Sequence, residues 1–80
     1  LGFLVINITV KLFAQYREGR FKVAQRSYKD GTKAKDVIDE LGVAKDLPLG
    51  VLMVNSKHES EEYVLKEGDI LALFPKVGGG

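Results

Sequence analysis

Ile70-Leu71-Ala72-Leu73-Phe74-Pro75-Lys76-Val77-Gly78-Gly79-Gly80 ends the sequence, and its reading decides the fold. The nearly unbroken apolar run from Ile70 to Phe74 is what a central strand covered on both faces would carry. Proline has no N–H to give to a ladder, so regular pairing is expected to end at Pro75. Three glycines follow, and glycine loses the most backbone entropy on ordering, so they are not expected to dock on their own domain. The expectation is a domain over residues 1–75 and a flexible tail over 76–80. Extended, Pro75 to Gly80 would reach roughly 20 Å, enough to thread a narrow channel in a partner. The α-carboxylate of Gly80 has no side chain beside it to shield it and is the candidate reactive group. A frayed end is the alternative reading of such a tail.

Working back from that strand, Lys66-Glu67-Gly68-Asp69 reads as a tight turn with Gly68 at positive φ. Val51-Leu52-Met53-Val54 is a second continuous apolar run, read as a buried strand that Asn55-Ser56 turns. A polar excursion over Lys57 to Glu62 follows. In the first half, Ile6, Ile8, Val10 and Leu12 alternate with Asn7, Thr9 and Lys11, the pattern of a half-buried strand. Phe13 continues on the polar phase, which puts a large aromatic on the exposed face at the strand end. After a loop at Arg17 to Arg20, Phe21 to Lys29 suits an edge strand whose cations discourage aggregation.

Asp30-Gly31-Thr32 punctuates the chain before a helix, with Thr32 as N-cap and Lys35 where a capping-box Glu would sit. Ala34, Val37, Ile38 and Leu41 form one apolar stripe of that helix, and Gly42 stops it. Val43 to Gly50 reads as a connecting loop, since Leu47-Pro48 cannot continue a helix. The order β-β-α-β-β predicts an α+β domain, a mixed sheet of about four strands packed on one helix.

Composition narrows the chemistry. The chain has 80 residues, 45% hydrophobic and 29% charged, which suits one small domain with a packed core. It has no cysteine and a single histidine, so disulfides, a Cys nucleophile and Cys-based metal sites are excluded and no metal is expected. Twelve Lys and Arg against 11 Asp and Glu give +1, which makes no case for nucleic acid. The bases outnumber the acids eight to five in residues 1–40 and trail four to six in 41–80. Leu1 to Val10 is apolar but interrupted at alternate positions, as in a strand and unlike a signal sequence or membrane span. The expectation is a cytoplasmic protein.

Five features together resemble the MoaD/ThiS family of sulfur carriers. They are the element order, Phe13-Ala14-Gln15 after the first strand, Val54-Asn55 at the end of the third, Leu65-Lys66-Glu67-Gly68-Asp69 before the last, and Ala72-Leu73-Phe74-Pro75 ahead of terminal glycines. The resemblance spans essentially the whole chain and implies a ubiquitin-like β-grasp fold. It implies that the Gly80 carboxylate is adenylated at the expense of ATP by an enzyme like those that activate ubiquitin. A sulfurtransferase or other donor then converts it to a thiocarboxylate, and an acceptor synthase subunit takes the sulfur. Gly78 and Gly79 would be the thin segment threaded into each active site. The chain itself would bind no cofactor and catalyse nothing alone. The Leu-Phe-Ala-Gln segment and the ALFP strand look most like the small subunit of molybdopterin synthase. In that subunit an apolar sheet face docks the large subunit, and the matching positions are Phe13, Phe74 and His58. Lys76 stands where that branch usually has a second proline, Gly78 where it has another small residue, and His58 where it has an apolar one. Carriers for thiamin, thiolated tRNA, cysteine or tungstopterin therefore stay open, as do a ubiquitin-like protein modifier and a plain interaction module.

For the side chains, core aromatics are the alternative for Phe13 and Phe74, and a solvated loop residue for His58. Glu59, Glu61, Glu62 and Asp69 read as a solvent-facing acidic cluster.

Overall fold

The computed structural model describes residues 4–77. Five strands, β1 (Val5–Leu12), β2 (Val23–Lys29), β3 (Leu49–Val54), β4 (Lys57–His58) and β5 (Ile70–Pro75), form one sheet in the order β2-β1-β5-β3-β4. β1 and β5 run parallel, and the other neighbours are antiparallel. Helix α1 (Ala34–Leu41) and the short α2 (Val43–Asp46) connect β2 to β3. This is the mixed sheet around a helix that the element order predicts, with β5 at its centre.

Four local expectations are corrected. The sheet has a fifth strand, because Asn55 and Ser56 both take positive φ (52° and 70°) and fold Lys57 and His58 back onto β3. Such paired left-handed residues match the twist of a two-residue hairpin, and Asn tolerates that conformation. The segment after Gly42 is not all loop, since Val43 to Asp46 forms a helical turn with Val43 buried. Thr32 is not the N-cap of α1: its hydroxyl donates to the Lys29 carbonyl at 2.7 Å, and Lys33 occupies the cap position. The first-turn donors are met instead by the crossing loop, Ala34 N–H by the Tyr63 carbonyl and Lys35 N–H by that of Glu61, each at 2.9 Å. The Asp36 carboxylate accepts from the Lys33 amide at 2.8 Å.

The fourth correction concerns the sheet faces. Ile6, Ile8, Val10, Leu12, Leu52, Val54, Leu71 and Leu73 pack with Ala34, Val37, Ile38, Val43, Tyr16 and Leu65 into one core on the helix side. Along β5 the pattern alternates, with Leu71, Leu73 and Pro75 buried while Ile70 is exposed and Ala72 and Phe74 are half-buried. The continuous apolar run is therefore buried on one face and only half-buried or exposed on the other.

Candidate functional site

Three local devices shape the end of the sheet from which the tail leaves. The first is the handling of Pro75. Leu73 faces β1, its carbonyl accepting the Phe13 N–H at 3.2 Å, and Pro75 shares its parity. The next acceptor on β1, the Phe13 carbonyl, is already taken by Tyr16 N–H at 3.1 Å in a 3₁₀ turn over Ala14–Arg17. The missing proline donor thus falls where the neighbouring strand has turned away. On the other side pairing continues past the proline: Leu49 lies opposite Pro75, and Lys76 N–H donates to the Pro48 carbonyl at 2.8 Å. The end of pairing expected at Pro75 therefore comes one residue later on this side.

The second device is Gly50, where the β3–β5 register shifts between Leu49 and Val51. A Cβ there would lie 2.7 Å from Lys76 Cα and 2.8 Å from both Lys76 N and the Pro75 carbonyl oxygen, so only glycine lets the start of the tail lie against β3.

The third is the 3₁₀ turn. Ala14 opens it at φ 52°, a strained value for a residue with a Cβ. Tyr16, fully buried, locks it by donating its hydroxyl to the Leu47 carbonyl at 2.7 Å. Burial pushes the Tyr16 phenol upward in pKa, which keeps it a donor.

These devices frame an apolar groove of about 270 Å³ on the open face, lined by Ala14, Val51, Met53, Phe74, Pro75 and Val77. Phe13 and Phe74, adjacent across β1 and β5, stack with ring centroids 4.1 Å apart and planes 11° apart. The Arg17 guanidinium carbon lies 5.2 Å from the Phe13 centroid while its Nε donates to the Leu12 carbonyl at 2.7 Å. Both phenylalanines are half-buried, against each other and not in the main core. His58 is exposed and directly opposite Met53 in the β3–β4 pair, which sets it on the same open face at its margin. The structure thus places Phe13, Phe74 and His58 on one surface. Gly78, Gly79 and Gly80 lie outside the described residues, and Val77, the last described residue, lines the groove.

Val51, Met53, Ala14 and Val77 belong to this surface but were not among the expected site residues. The signal was there for two of them: Val51 and Met53 are the apolar residues on the alternate phase of an unbroken run, which the two-faced reading assigned to a core.

The acidic cluster is corrected too. Asp69 is buried at 6% exposure, and its carboxylate accepts from Asn55 Nδ2 (2.8 Å), the Lys66 amide (2.8 Å) and Tyr63 Oη (3.2 Å). Asn55 Oδ1 in turn accepts the Ile70 amide at 2.9 Å. The Val54-Asn55 and Lys66-to-Asp69 motifs are therefore one clamp that closes the loop and starts β5. Glu62 pairs with Lys33 at 2.9 Å and Lys35 at 3.7 Å. Among the described residues no cluster of three potential metal ligands occurs, and no helix is long and apolar enough to cross a membrane.

Comparison with known proteins agrees with the fold. The model of the ThiS family matches residues 10–80. A Pyrococcus furiosus protein assigned as molybdopterin converting factor, subunit 1, is 25% identical with a TM-score of 0.74, over 90% of this chain and 99% of that one. Small archaeal modifier protein 1 of Haloferax volcanii is 23% identical with a TM-score of 0.73, over 90% and 99%. In a Helicobacter pylori complex of subunits 1 and 2 of molybdopterin-converting factor, the matching chain is 22% identical with a TM-score of 0.64, over 94% and 100%. Both of these last two share the fold. No curated protein sequence matches the chain.

Proposed function

The chain belongs to the ThiS family, and on that premise we propose that it is a sulfur carrier whose working group is the carboxylate of Gly80. A carboxylate resists nucleophiles until one oxygen becomes a good leaving group. Attack of that oxygen on the α-phosphorus of ATP expels pyrophosphate and gives an acyl-adenylate. Sulfur at the sulfide level then displaces AMP to form the thiocarboxylate. Its sulfur bonds to an acceptor carbon with loss of that carbon's leaving group, and water cleaving the acyl–sulfur bond leaves the sulfur on the acceptor and regenerates the acid. Glycine suits these steps because no Cβ obstructs either approach.

The observation that carries the reading is the coupling of two surfaces: the apolar groove built on Phe74, Met53 and Val51, and a glycine-terminated chain leaving from its edge at Val77. The groove would recognise partners while the terminus performs the chemistry, so the protein is a cosubstrate and not a catalyst. Phe13 and Phe74 are its docking anchors and His58 lies at their margin, while Gly78 and Gly79 are the threaded segment. The partners are an adenylating enzyme, a sulfurtransferase and an acceptor synthase subunit. The molybdopterin branch is favoured by the ALFP strand and by the Pyrococcus furiosus relative.

The test combines the purified chain with ATP, a sulfide source and the adenylating enzyme of molybdopterin synthesis from the same organism. Mass spectrometry should find one oxygen replaced by sulfur at Gly80, and deletion of Gly79 and Gly80 should abolish this with the fold intact. An enzyme that activates its own carrier but leaves this chain unchanged overturns the reading. High-mass adducts on lysines of other proteins, lost on the same deletion, would make the chain a modifier instead.

A further inference from the structure

The charges around the groove point to the chemistry of what docks there, an inference that rests on the docking role proposed above. Four cations on the helix side have partners, Arg20 with Asp46 at 2.7 Å, Arg26 with Glu40 at 3.3 Å, and Lys33 and Lys35 with Glu62, while Lys45 on α2 pairs with no described carboxylate. Three cations border the groove on the open face. Lys11 lies in register between Ala72 of β5 and Val23 of β2, in the same cross-strand row as Met53. Arg17 stands over Phe13, and Lys76 is exposed where the tail begins. Among the described residues, none of these three has a carboxylate within ion-pair distance. Glu18 and Glu59 are the exposed acids adjacent in sequence to Arg17 and His58, and neither forms an ion pair there.

Edge-strand protection does not account for Lys11, because β1 is an interior strand flanked by β2 and β5. Its aliphatic stem can lie along the sheet with the ammonium group at the rim. A partner that covers Met53, Ala72 and Phe74 would also take this ammonium out of water, and a buried charge left without a counter-ion is strongly unfavourable. We propose that the surface docking on this groove is apolar at its centre and carries carboxylates opposite Lys11, Arg17 and Lys76. The partner is thus an acidic-rimmed protein face, drawn in by charge and held by apolar contact.

The experiment measures ATP–pyrophosphate exchange by the adenylating enzyme with this chain as substrate, from low to high sodium chloride. It compares the unaltered protein with Lys11→Glu, Lys11→Gln, Arg17→Glu and, on α2, Lys45→Glu, with circular dichroism to check folding. The expectation is that kcat/KM falls as salt rises. At low salt Lys11→Glu and Arg17→Glu should lower it about 3- to 10-fold through KM with kcat unchanged, while Lys45→Glu has no effect. Lys11→Gln should be intermediate, and the differences should close at high salt. Exchange that is insensitive to salt, or Lys11 variants that match Lys45→Glu, overturns the acidic rim and leaves the carrier role standing. No exchange with the unaltered protein overturns both.

Discussion

The two faces of the sheet are built from alternate residues of the same strands and meet different surroundings. On one face Val10, Leu12, Leu71 and Leu73 are fully buried beneath α1 and the loop segments. On the other, Phe13, Met53, Ala72 and Phe74 are only half-buried, with the Arg17 guanidinium over the Phe13 ring. Both faces are apolar at this end of the sheet, so hydrophobicity does not tell them apart. At the far end the open face carries polar pairs, Gln25 donating to Thr9 Oγ1 at 2.9 Å and Ser27 to Asn7 Oδ1 at 2.6 Å, beside exposed Val5 and Ile70. The closed face holds the fold together, and the open face carries its apolar groove beside the start of the tail.

The sharpest way to break that comparison is a pair of neighbouring truncations. Leu73→Ala removes a fully buried side chain and should cost about 2–5 kcal/mol, much of the stability of a domain this size. Phe74→Ala removes a larger residue, but a half-buried one whose main partner is the Phe13 ring. Its expected cost is about 1–2 kcal/mol, near the worth of an aromatic pair plus partial burial. Urea denaturation measures both. In docking to the adenylating enzyme the order should reverse among folded variants, with Phe74→Ala losing most. Equal losses of stability would mean that the open face belongs to the core.

A smaller effect is expected where the two faces meet at the tail. Gly50→Ala would put a Cβ within 2.8 Å of the Pro75 and Lys76 backbone, which no rotation of a side chain can relieve. The strand end must shift, at about 1–3 kcal/mol, and the hydrogen bond from Lys76 to Pro48 should be lost. Amide exchange at Lys76 reports this directly. Unchanged protection would show that the tail start is held by something other than this close approach.

How much of this was legible in the sequence follows from the kind of interaction involved. The strand at Ile6 to Leu12 and the stripe of α1 are periodic, and periodicity is a local signal. Pro75 is a local signal too, although pairing on the β3 side runs one residue beyond it. The openness of one face was not legible: an unbroken apolar run is the same text whether its second face meets a helix or a partner. The cap of α1 was missed because carbonyls of Tyr63 and Glu61, far along the chain, satisfy the donors that Thr32 was expected to meet. Asp69 was misplaced because its donors come from three separate points in a loop. The placement of Phe13, Phe74 and His58 on one surface needed the register of four strands. The Asn55–Asp69 clamp explains why two short motifs, seen separately in the sequence, travel together.

The smallest effect tests the outer limit of the closed face, at the β2 edge. Tyr28 donates its hydroxyl to Glu40 Oε1 at 2.7 Å and accepts from Arg26 Nε at 2.7 Å, tying β2 to α1. Burial pushes its pKa from 10.0 up to about 12, helped by the Glu40 carboxylate and opposed by Arg26. In the unfolded chain the phenol ionises near 10, so folding holds a proton that the unfolded state has released. The contribution is fully present below that value and is lost as pH rises through about 12. Water reaches part of the ring, so the loss should be about 1 kcal/mol, below the unscreened linkage. Tyr16 and Tyr63 are also raised by burial and add the same sign, so the informative quantity is a difference. The unaltered protein should lose more stability than Tyr28→Phe across the alkaline window, read from urea midpoints with tyrosinate absorbance followed in parallel. Parallel curves would show that β2 does not shield this phenol, and that the closed face ends one strand earlier, at β1.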